Sequence, residues 1–92
     1  MQIEWDTDKN KRNIAKHHLS FEVAQQVFND PLHLSILDRY VDDEARWQTI
    51  GDINGAVVVL VAHTVCEETN RIRIISARKA TKQERIRYEQ AK

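Results

Sequence analysis

Residues 57–65 constrain the fold most strongly, because their side chains are apolar at both odd and even positions. A strand with two apolar faces needs cover on both sides, so this segment is predicted to be the central strand of a sheet. The longest apolar run, residues 56–62, is far shorter than the roughly 18 residues that cross a bilayer. The chain is therefore predicted to have no membrane partner.

A chain of 92 residues that is 41% apolar can build one core, so residues 1–92 are predicted to form a single domain. The N-terminus lacks the basic and apolar stretches of a signal peptide. Cys66 is the single cysteine, which excludes an internal disulfide and a cysteine-rich metal site. These features together favour a cytoplasmic protein.

Local patterns predict the element order β-α-α-β-β-β-β-α. Asp6 and Ser20 are expected helix N-caps, and Pro31 ends the second helix. Thr81 and Glu84 have the spacing of a capping box at the start of the last helix. Short links join the last four strands, which predicts an α+β fold with a small, mainly antiparallel sheet of four to five strands.

The two N-terminal helices are expected to cover one face of this sheet. The first of them is predicted to bury a narrow stripe that contains Ile14 and Ala15. The second face of the central strand is also apolar, and its cover is the C-terminal helix, a second copy of the chain or a partner protein.

Charge is unevenly distributed along a chain whose net charge is zero. Residues 21–70 contain two basic and nine acidic side chains, whereas residues 71–92 contain eight basic and two acidic ones. The cationic last quarter either binds a local polyanion or pairs with the acidic middle of the chain. Asp42, Asp43 and Glu44, in that middle, form either a solvated loop or a contact for a basic partner segment.

Arginines of the last predicted strand are candidates for binding phosphate, since guanidinium makes bidentate contacts and stays charged. In regular alternation Arg73 and Arg78 point to opposite faces, so either a bulge lies before Arg78 or one of them acts alone. The competing interpretation is an edge strand whose charges prevent aggregation. Arg46 and Trp47 also point to opposite faces, and Trp47 is either a core residue, which we favour, or a stacking platform for a base.

The sequence has no glycine-rich nucleotide loop, Walker loop or Cys-x-x-Cys motif. His17 and His18 are adjacent on a predicted helix, and adjacent positions do not converge on one metal ion. We therefore expect neither a metal nor a cofactor.

Short motifs in a fixed order run through nearly the whole chain. The first half contains Trp5-Asp6-x-x-Lys9, Asn13-x-x-Lys16-His17, Ser20-Phe21-Glu22-x-Ala24 and Val27-Phe28-x-Asp30-Pro31. The second half contains Glu44-x-Arg46-Trp47, Ile50-Gly51 and Arg73-Ile74-Ile75-Ser76-Ala77-Arg78-Lys79-Ala80, followed by Glu84 and Tyr88. In order and spacing these motifs resemble the BrnT toxins.

The resemblance implies a RelE-like fold and a ribonuclease toxin of a type II toxin–antitoxin pair. Members of the family are neutralised by a BrnA antitoxin, so the expected partners are a BrnA-like protein in a hetero-oligomer, RNA as substrate, and operator DNA indirectly through the antitoxin. The family usually has glycine where this chain has His18. A positive φ at that position costs histidine about 1 kcal/mol.

RelE-like toxins cut RNA without a metal: the 2′-hydroxyl attacks the adjacent phosphate and the 5′-oxygen leaves. This chemistry needs a proton acceptor, a proton donor and positive charge at the phosphorane. The predicted catalytic residues are His17, Arg46, Arg73 and Arg78. The predicted RNA-binding residues are Lys9, Lys16, Trp47, Lys79 and Tyr88.

Several of these residues have a second interpretation. Lys9 is either solvated or, at eight residues before His17, adds positive charge beside it. His17 either transfers a proton or caps the end of the first helix, and Tyr88 either contacts RNA or anchors the last helix. For Glu84 we favour the capping box over catalysis. The alternative for the whole chain is a non-catalytic module that binds protein or nucleic acid through its cationic C-terminal segment.

Overall fold

The computed structural model describes residues 1–91, and its elements follow the predicted order β-α-α-β-β-β-β-α. The strands are β1 Gln2–Trp5, β2 Leu34–Val41, β3 Glu44–Ile53, β4 Val57–Cys66 and β5 Arg71–Lys79. The helices are α1 Thr7–His17, α2 Phe21–Ala24 and α3 Lys82–Gln90, and a 3₁₀ turn, Gln25–Asn29, continues α2. The predicted α+β class is confirmed.

Across residues 1–91 the strands form one five-stranded sheet in the order β1-β5-β4-β3-β2. β1 pairs with β5 in parallel, whereas the other neighbours are antiparallel. β4 is the middle strand, and its residues Val59, Leu60 and Val61 are buried. The prediction that residues 57–65 form the central strand is therefore confirmed.

One face of the sheet, called the helix face here, carries the main core. Phe21, Ala24 and Val27 are fully buried there, against residues of β3, β4 and β5. Trp5 is partly buried beside this core and packs edge-on against Phe21 with 6.1 Å between ring centroids. Gly51 admits the 3₁₀ turn closely, because a Cβ at this position would lie 2.8 Å from the carbonyl oxygen of Val27. Only the smallest residue fits such an approach.

α1 is held to the sheet by asparagines, which corrects the predicted apolar stripe. Ile14 is 42% exposed and Ala15 is also exposed, while Asn10 and Asn13 are buried. The Asn13 amide donates to the carbonyls of Leu19 and Ala77 and accepts from the Ala77 amide. β1 pairs with β5 only as far as Ile74, so Asn13 satisfies the backbone edge that β1 leaves open.

α1 ends at His18, which adopts the left-handed conformation with φ of 58°. Its backbone amide donates to the carbonyl of Ile14 at 2.8 Å. This conformation is the one that glycine favours at a helix C-terminus, so the chain keeps the turn in spite of the β-carbon. The substitution of histidine for the glycine usual in the family therefore leaves the shape of this helix end unchanged.

α3 covers part of the second face of the sheet, where Tyr88 packs with Ile50 and Leu60. The Tyr88 hydroxyl donates to the carboxylate of Asp30, which also accepts from the backbone amides of Asp52 and Leu32. The sequence left three possible covers for this face, and over Ile50 and Leu60 the cover is the C-terminal helix. The rest of that face lies beyond α3 and carries the residues described next.

Candidate functional site

A β-bulge in β5 determines which side chains share a face. Ala62 of β4 pairs with Ser76, but the next residue, His63, pairs with Ile74, so Ile75 is the extra residue. The register places Arg73 opposite Thr64 and Arg78 opposite Leu60. Because residues four apart on β4 point to the same side, the two arginines lie on one face. The bulge, one of the two alternatives from the sequence, is present.

Arg46 lies on the same face, in the same row as Arg73. The register runs Arg46–Thr64–Arg73 across β3, β4 and β5, so the two arginines are two strand spacings apart, about 10 Å between Cα atoms. Arg39 of β2 pairs directly with Arg46. Like charges opposite each other destabilise a sheet, so this row costs stability that an anionic ligand would return. This side of the sheet is called the arginine face here.

Arg78 is held by α3. Its guanidinium donates two hydrogen bonds to the Glu84 carboxylate, at 2.7 and 3.0 Å. The bonds from Arg78 outweigh burial and lower the pKa of Glu84 to about 2, and Glu84 in turn raises the pKa of Arg78. Glu84 also completes the capping box with Thr81, as expected. At neutral pH this carboxylate is fully ionised and committed to Arg78, so it is a poor acid or base.

Arg46 and Arg73 are less restrained. A guanidinium nitrogen of Arg46 lies 3.5 Å from the Glu44 carboxylate, and its Nε is buried with no hydrogen-bond partner in the described chain. Arg73 is exposed, and it forms no ion pair with any residue from 1 to 91. Both side chains have hydrogen-bonding capacity for an added anion.

Trp47 lies on the helix face, opposite the arginines. It pairs with Leu37 on one side and with buried His63 on the other, and it is half-buried. The predicted opposition of Arg46 and Trp47 is therefore present. The structure does not bring Trp47 together with the arginines, because strand neighbours point to opposite sides.

His17 lies in a separate cleft of about 470 Å³ at the end of α1, lined by Lys16, His17, His18, Leu19, Val57, Val59, Arg78 and Lys79. Three of the predicted residues therefore join His17 there: Lys16, Arg78 and Lys79. Arg46 and Arg73 do not line this cleft, since Lys79 pairs with Val59, five residues along β4 from Thr64. The structure divides the predicted site between the arginine face and this cleft.

Lys9 lines another cleft, with Glu4, Asp6 and Arg73 among its neighbours. The suggestion that Lys9 adds charge beside His17 is therefore wrong, because the two residues line different clefts along α1. Lys9 is instead placed beside Arg73, on the side where β1 meets β5.

Tyr88 is only 2% exposed, and its hydroxyl is bonded to Asp30. Burial and the Asp30 carboxylate raise the pKa of Tyr88. Burial alone would also raise the pKa of Asp30, but the hydrogen bonds from Tyr88, Asp52 and Leu32 outweigh burial and lower this pKa. A phenol in this position anchors α3, so the structure favours that interpretation over contact with RNA.

His63 is also buried, on the helix face, where Phe28 packs edge-on against it at 5.1 Å. Its Nε2 is hydrogen-bonded to the Thr49 hydroxyl, which is bonded to Ser35. Burial lowers the pKa of His63, although the hydrogen bond to the Thr64 backbone opposes this. A histidine without solvent access is unsuited to proton transfer with RNA.

Sequence reasoning missed Thr64, whose hydroxyl-bearing side chain lies between Arg46 and Arg73 in the row. Its place beside Arg73 depends on the bulge, so this neighbour could be recognised only once the strand register was known.

Among residues 1–91 no group of three or more histidine, cysteine or acidic side chains is arranged to hold a metal ion. No helix of this part of the chain is long and apolar enough to cross a membrane.

Comparisons with known proteins agree on the family. Residues 5–84 match the family model described as the ribonuclease toxin BrnT of type II toxin–antitoxin systems. The crystal structure of the Brucella abortus ribonuclease toxin BrnT is similar, with a TM-score of 0.66 and 29% sequence identity over 89% of this chain and 99% of that one. No curated protein matches the sequence. On this evidence the chain belongs to the BrnT family, the ribonuclease toxins of type II toxin–antitoxin systems, which act with a protein antitoxin.

Proposed function

We propose that this toxin cleaves RNA on the arginine face, with Arg46 and Arg73 on either side of the scissile phosphate and Thr64 beneath it. The observation that carries the proposal is the Ile75 bulge, which puts Arg73 and Arg78 on the side of Arg46. Neither Arg46 nor Arg73 is saturated by carboxylates, so both can bind a phosphodiester. Lys9 lines a cleft with Arg73 and is proposed to contact a flanking phosphate there, although Glu4 and Asp6 in the same cleft offset part of its positive charge.

The proposed reaction is transesterification without a metal. The 2′-oxygen of the RNA bonds to the adjacent phosphorus while its proton passes to a base, and the 5′-oxygen leaves with a proton from an acid. The products are a 2′,3′-cyclic phosphate and a free 5′-hydroxyl. Two guanidinium groups fixed at the phosphate stabilise the charge that develops on the phosphorane oxygens.

Glu44 is the acid–base candidate that the geometry favours. It alternates with Arg46 on β3 and lies 3.5 Å from it, on the arginine face. Glu84 is occupied by Arg78, and His63 and Tyr88 are buried. His17 stays a prediction from the sequence; with Lys16 and Lys79 it is proposed to bind a more distant part of the RNA, since Arg78 connects its cleft with the arginine face.

The partners proposed from the family are a BrnA-like antitoxin, which neutralises the toxin in a hetero-oligomer, and operator DNA through that antitoxin. The toxin is proposed to act as a single domain, in the cytoplasm, where RNA is available and the exposed Cys66 stays reduced.

Cleavage of labelled RNA by the purified toxin in the presence of EDTA tests the site. Arg73→Ala is expected to lower kcat/KM by about 100-fold, because a charged group that stabilises the transition state is removed. Arg12→Ala, which removes an exposed arginine of α1, is the control and is expected to retain full activity. Equal activity of the two variants contradicts the proposal, and binding of RNA without cleavage by the native toxin supports the non-catalytic alternative.

The pH dependence of the same assay separates the two acid–base candidates. Glu44→Gln is expected to remove the acidic limb of the pH–rate profile, whereas His17→Ala is expected to change KM more than kcat. The opposite result assigns proton transfer to His17 and places the chemistry in the cleft at the end of α1.

A further inference from the structure

Apolar side chains are exposed at one corner of the helix face. Leu37 is 41% exposed, Tyr40 66% and Val65 41%, and Trp47 is half-buried beside them. The strand register makes them neighbours of Trp47. Leu37 pairs with Trp47 directly, and Tyr40 pairs with Ala45, two residues before Trp47 on β3. On the other side Trp47 pairs with His63, and Val65 is two residues after His63 on β4. These four residues are called the apolar corner here. The helices that cover the rest of this face leave it exposed.

Carboxylates surround the same end of the sheet. Asp42 and Asp43 form the turn between β2 and β3, and Glu67 and Glu68 lie in the turn between β4 and β5. All four are exposed, and none forms an ion pair with another residue of the described range 1–91. The apolar corner is therefore bordered by uncompensated negative charge.

We propose that the apolar corner is the docking site for a cationic, amphipathic segment of the protein antitoxin. An apolar patch with a charged border is typical of a protein interface, and its negative border selects a partner segment rich in lysine and arginine. The proposal rests on the toxin–antitoxin function, since this function supplies the protein partner.

Charge argues against the other occupants. RNA would bring phosphates next to the four carboxylates, and the corner, unlike the arginine face, has no guanidinium group to offset their repulsion. A second copy of the chain in a two-fold dimer would bring the same carboxylates against each other. A cationic segment is the occupant whose charge complements the border.

The position of the apolar corner allows binding of the antitoxin to be tested separately from cleavage of RNA. Trp47 and Arg46 point to opposite sides of β3, so a partner seated on the corner contacts the sheet face that the arginines do not occupy. Substitutions of Leu37 or Tyr40 are therefore expected to weaken the complex without changing cleavage by the free toxin.

Binding of the protein encoded by the reading frame next to the toxin gene, measured by calorimetry, tests the proposal. Leu37→Lys is expected to raise the dissociation constant at least about tenfold, because an apolar contact is replaced by a charge. Ile86→Lys, in α3, changes a side chain of similar exposure, 44%, and is expected to change the constant less than about twofold. Tyr40→Lys, at a more exposed position, gives the same test with less risk to folding.

The border is tested by Asp42→Asn together with Asp43→Asn. Both residues have positive φ, 49° and 64°, which asparagine tolerates, so charge is removed while the turn is kept. Affinity is expected to fall several-fold and to become less sensitive to salt.

Equal affinity of Leu37→Lys and Ile86→Lys contradicts the proposal, as does failure of the neighbouring protein to bind the native toxin. A free toxin that dimerises until Tyr40→Lys is introduced assigns the corner to a second copy, and loss of RNA binding in Tyr40→Lys assigns it to RNA. Cleavage by each free variant is measured in parallel, so an error in the proposed arginine site is recognised independently of the docking result.

Discussion

The two faces of the sheet are stabilised in different ways. The helix face buries Phe21, Ala24 and Val27 completely, and Gly51 lets the chain approach so closely that a methyl group has no room. The arginine face has a smaller apolar cluster under α3, and beyond it rows of charged and polar residues. Tight packing specifies one structure, whereas unsaturated charge is kept where a ligand is bound. The contrast is that close packing stabilises the helix face, whereas the arginine face beyond α3 carries charged side chains that are not fully paired.

The largest effect should come from the centre of the helix face. Phe21→Ala removes a fully buried ring and is expected to lower the free energy of unfolding by about 3–5 kcal/mol. Urea unfolding followed by circular dichroism measures the change. Arg73→Ala on the other face should change the free energy of unfolding by less than about 0.5 kcal/mol. Equal losses in the two variants would remove the distinction between the faces.

A substitution of Asn13 tests the buried hydrogen bonds that join α1 to Leu19 and to Ala77 of β5. Asn13→Ala leaves the Ala77 amide and two carbonyls without their buried partner, and should cost about 2–3 kcal/mol. Lys16→Ala, at an exposed position of the same helix, is the control and should be nearly neutral. A comparable stability for the two variants would mean that water replaces the asparagine.

Glu84 tests how α3 is fixed to the arginine face. The pKa of its carboxyl is lowered from 4.5 to about 2 by Arg78, so its contribution is present above pH 4.5 and is lost as the pH falls toward 2. Glu84→Gln should lower stability by about 1–2 kcal/mol at neutral pH, a value reduced by the partial exposure of Arg78. The variant should also lose part of the acid sensitivity between these pH values, as followed by unfolding at pH 2.5, 3.5 and 5. An unchanged pH dependence would show that the pair is screened by solvent.

The smallest effect should come from the end of α1. His18→Gly removes a β-carbon from a residue with φ of 58° and should raise stability by about 0.5–1 kcal/mol. His17→Gly, inside the helix, should lower it by a similar amount. Thermal unfolding of both variants compares them, and a gain in each would contradict the assignment of strain to His18.

Local signals in the sequence identified most of the fold, because caps, turns and alternation act between close neighbours. The order of the elements, the capping box and the opposition of Arg46 to Trp47 were all predictable in this way. The buried face of α1 was not predictable, since asparagines are buried where apolar residues were expected. The strand edge that Asn13 satisfies is 64 residues away in the sequence. The sequence allowed either a bulge before Arg78 or a single acting arginine, and only the pairing of β5 with β4 shows that the bulge is present.

The site was less predictable than the fold for the same reason. Composition identified the arginines, but whether they share a face with each other or with Trp47 depends on pairing between distant strands. The Tyr88 hydroxyl is bonded to Asp30, 58 residues away, and this contact has no local signature in the sequence.

The parallel pairing of β1 with β5 joins the first strand of the chain to the last. During synthesis β1 has no strand to pair with, and Asn13 of α1 lacks the backbone groups of Ala77, until residues 71–79 leave the ribosome. A nascent toxin is consequently unable to complete its sheet early, and Arg73 and Arg78 arrive last. The closed sheet, and the row Arg46–Thr64–Arg73 with it, therefore forms only once β5 is available, whatever the order in which the other elements fold.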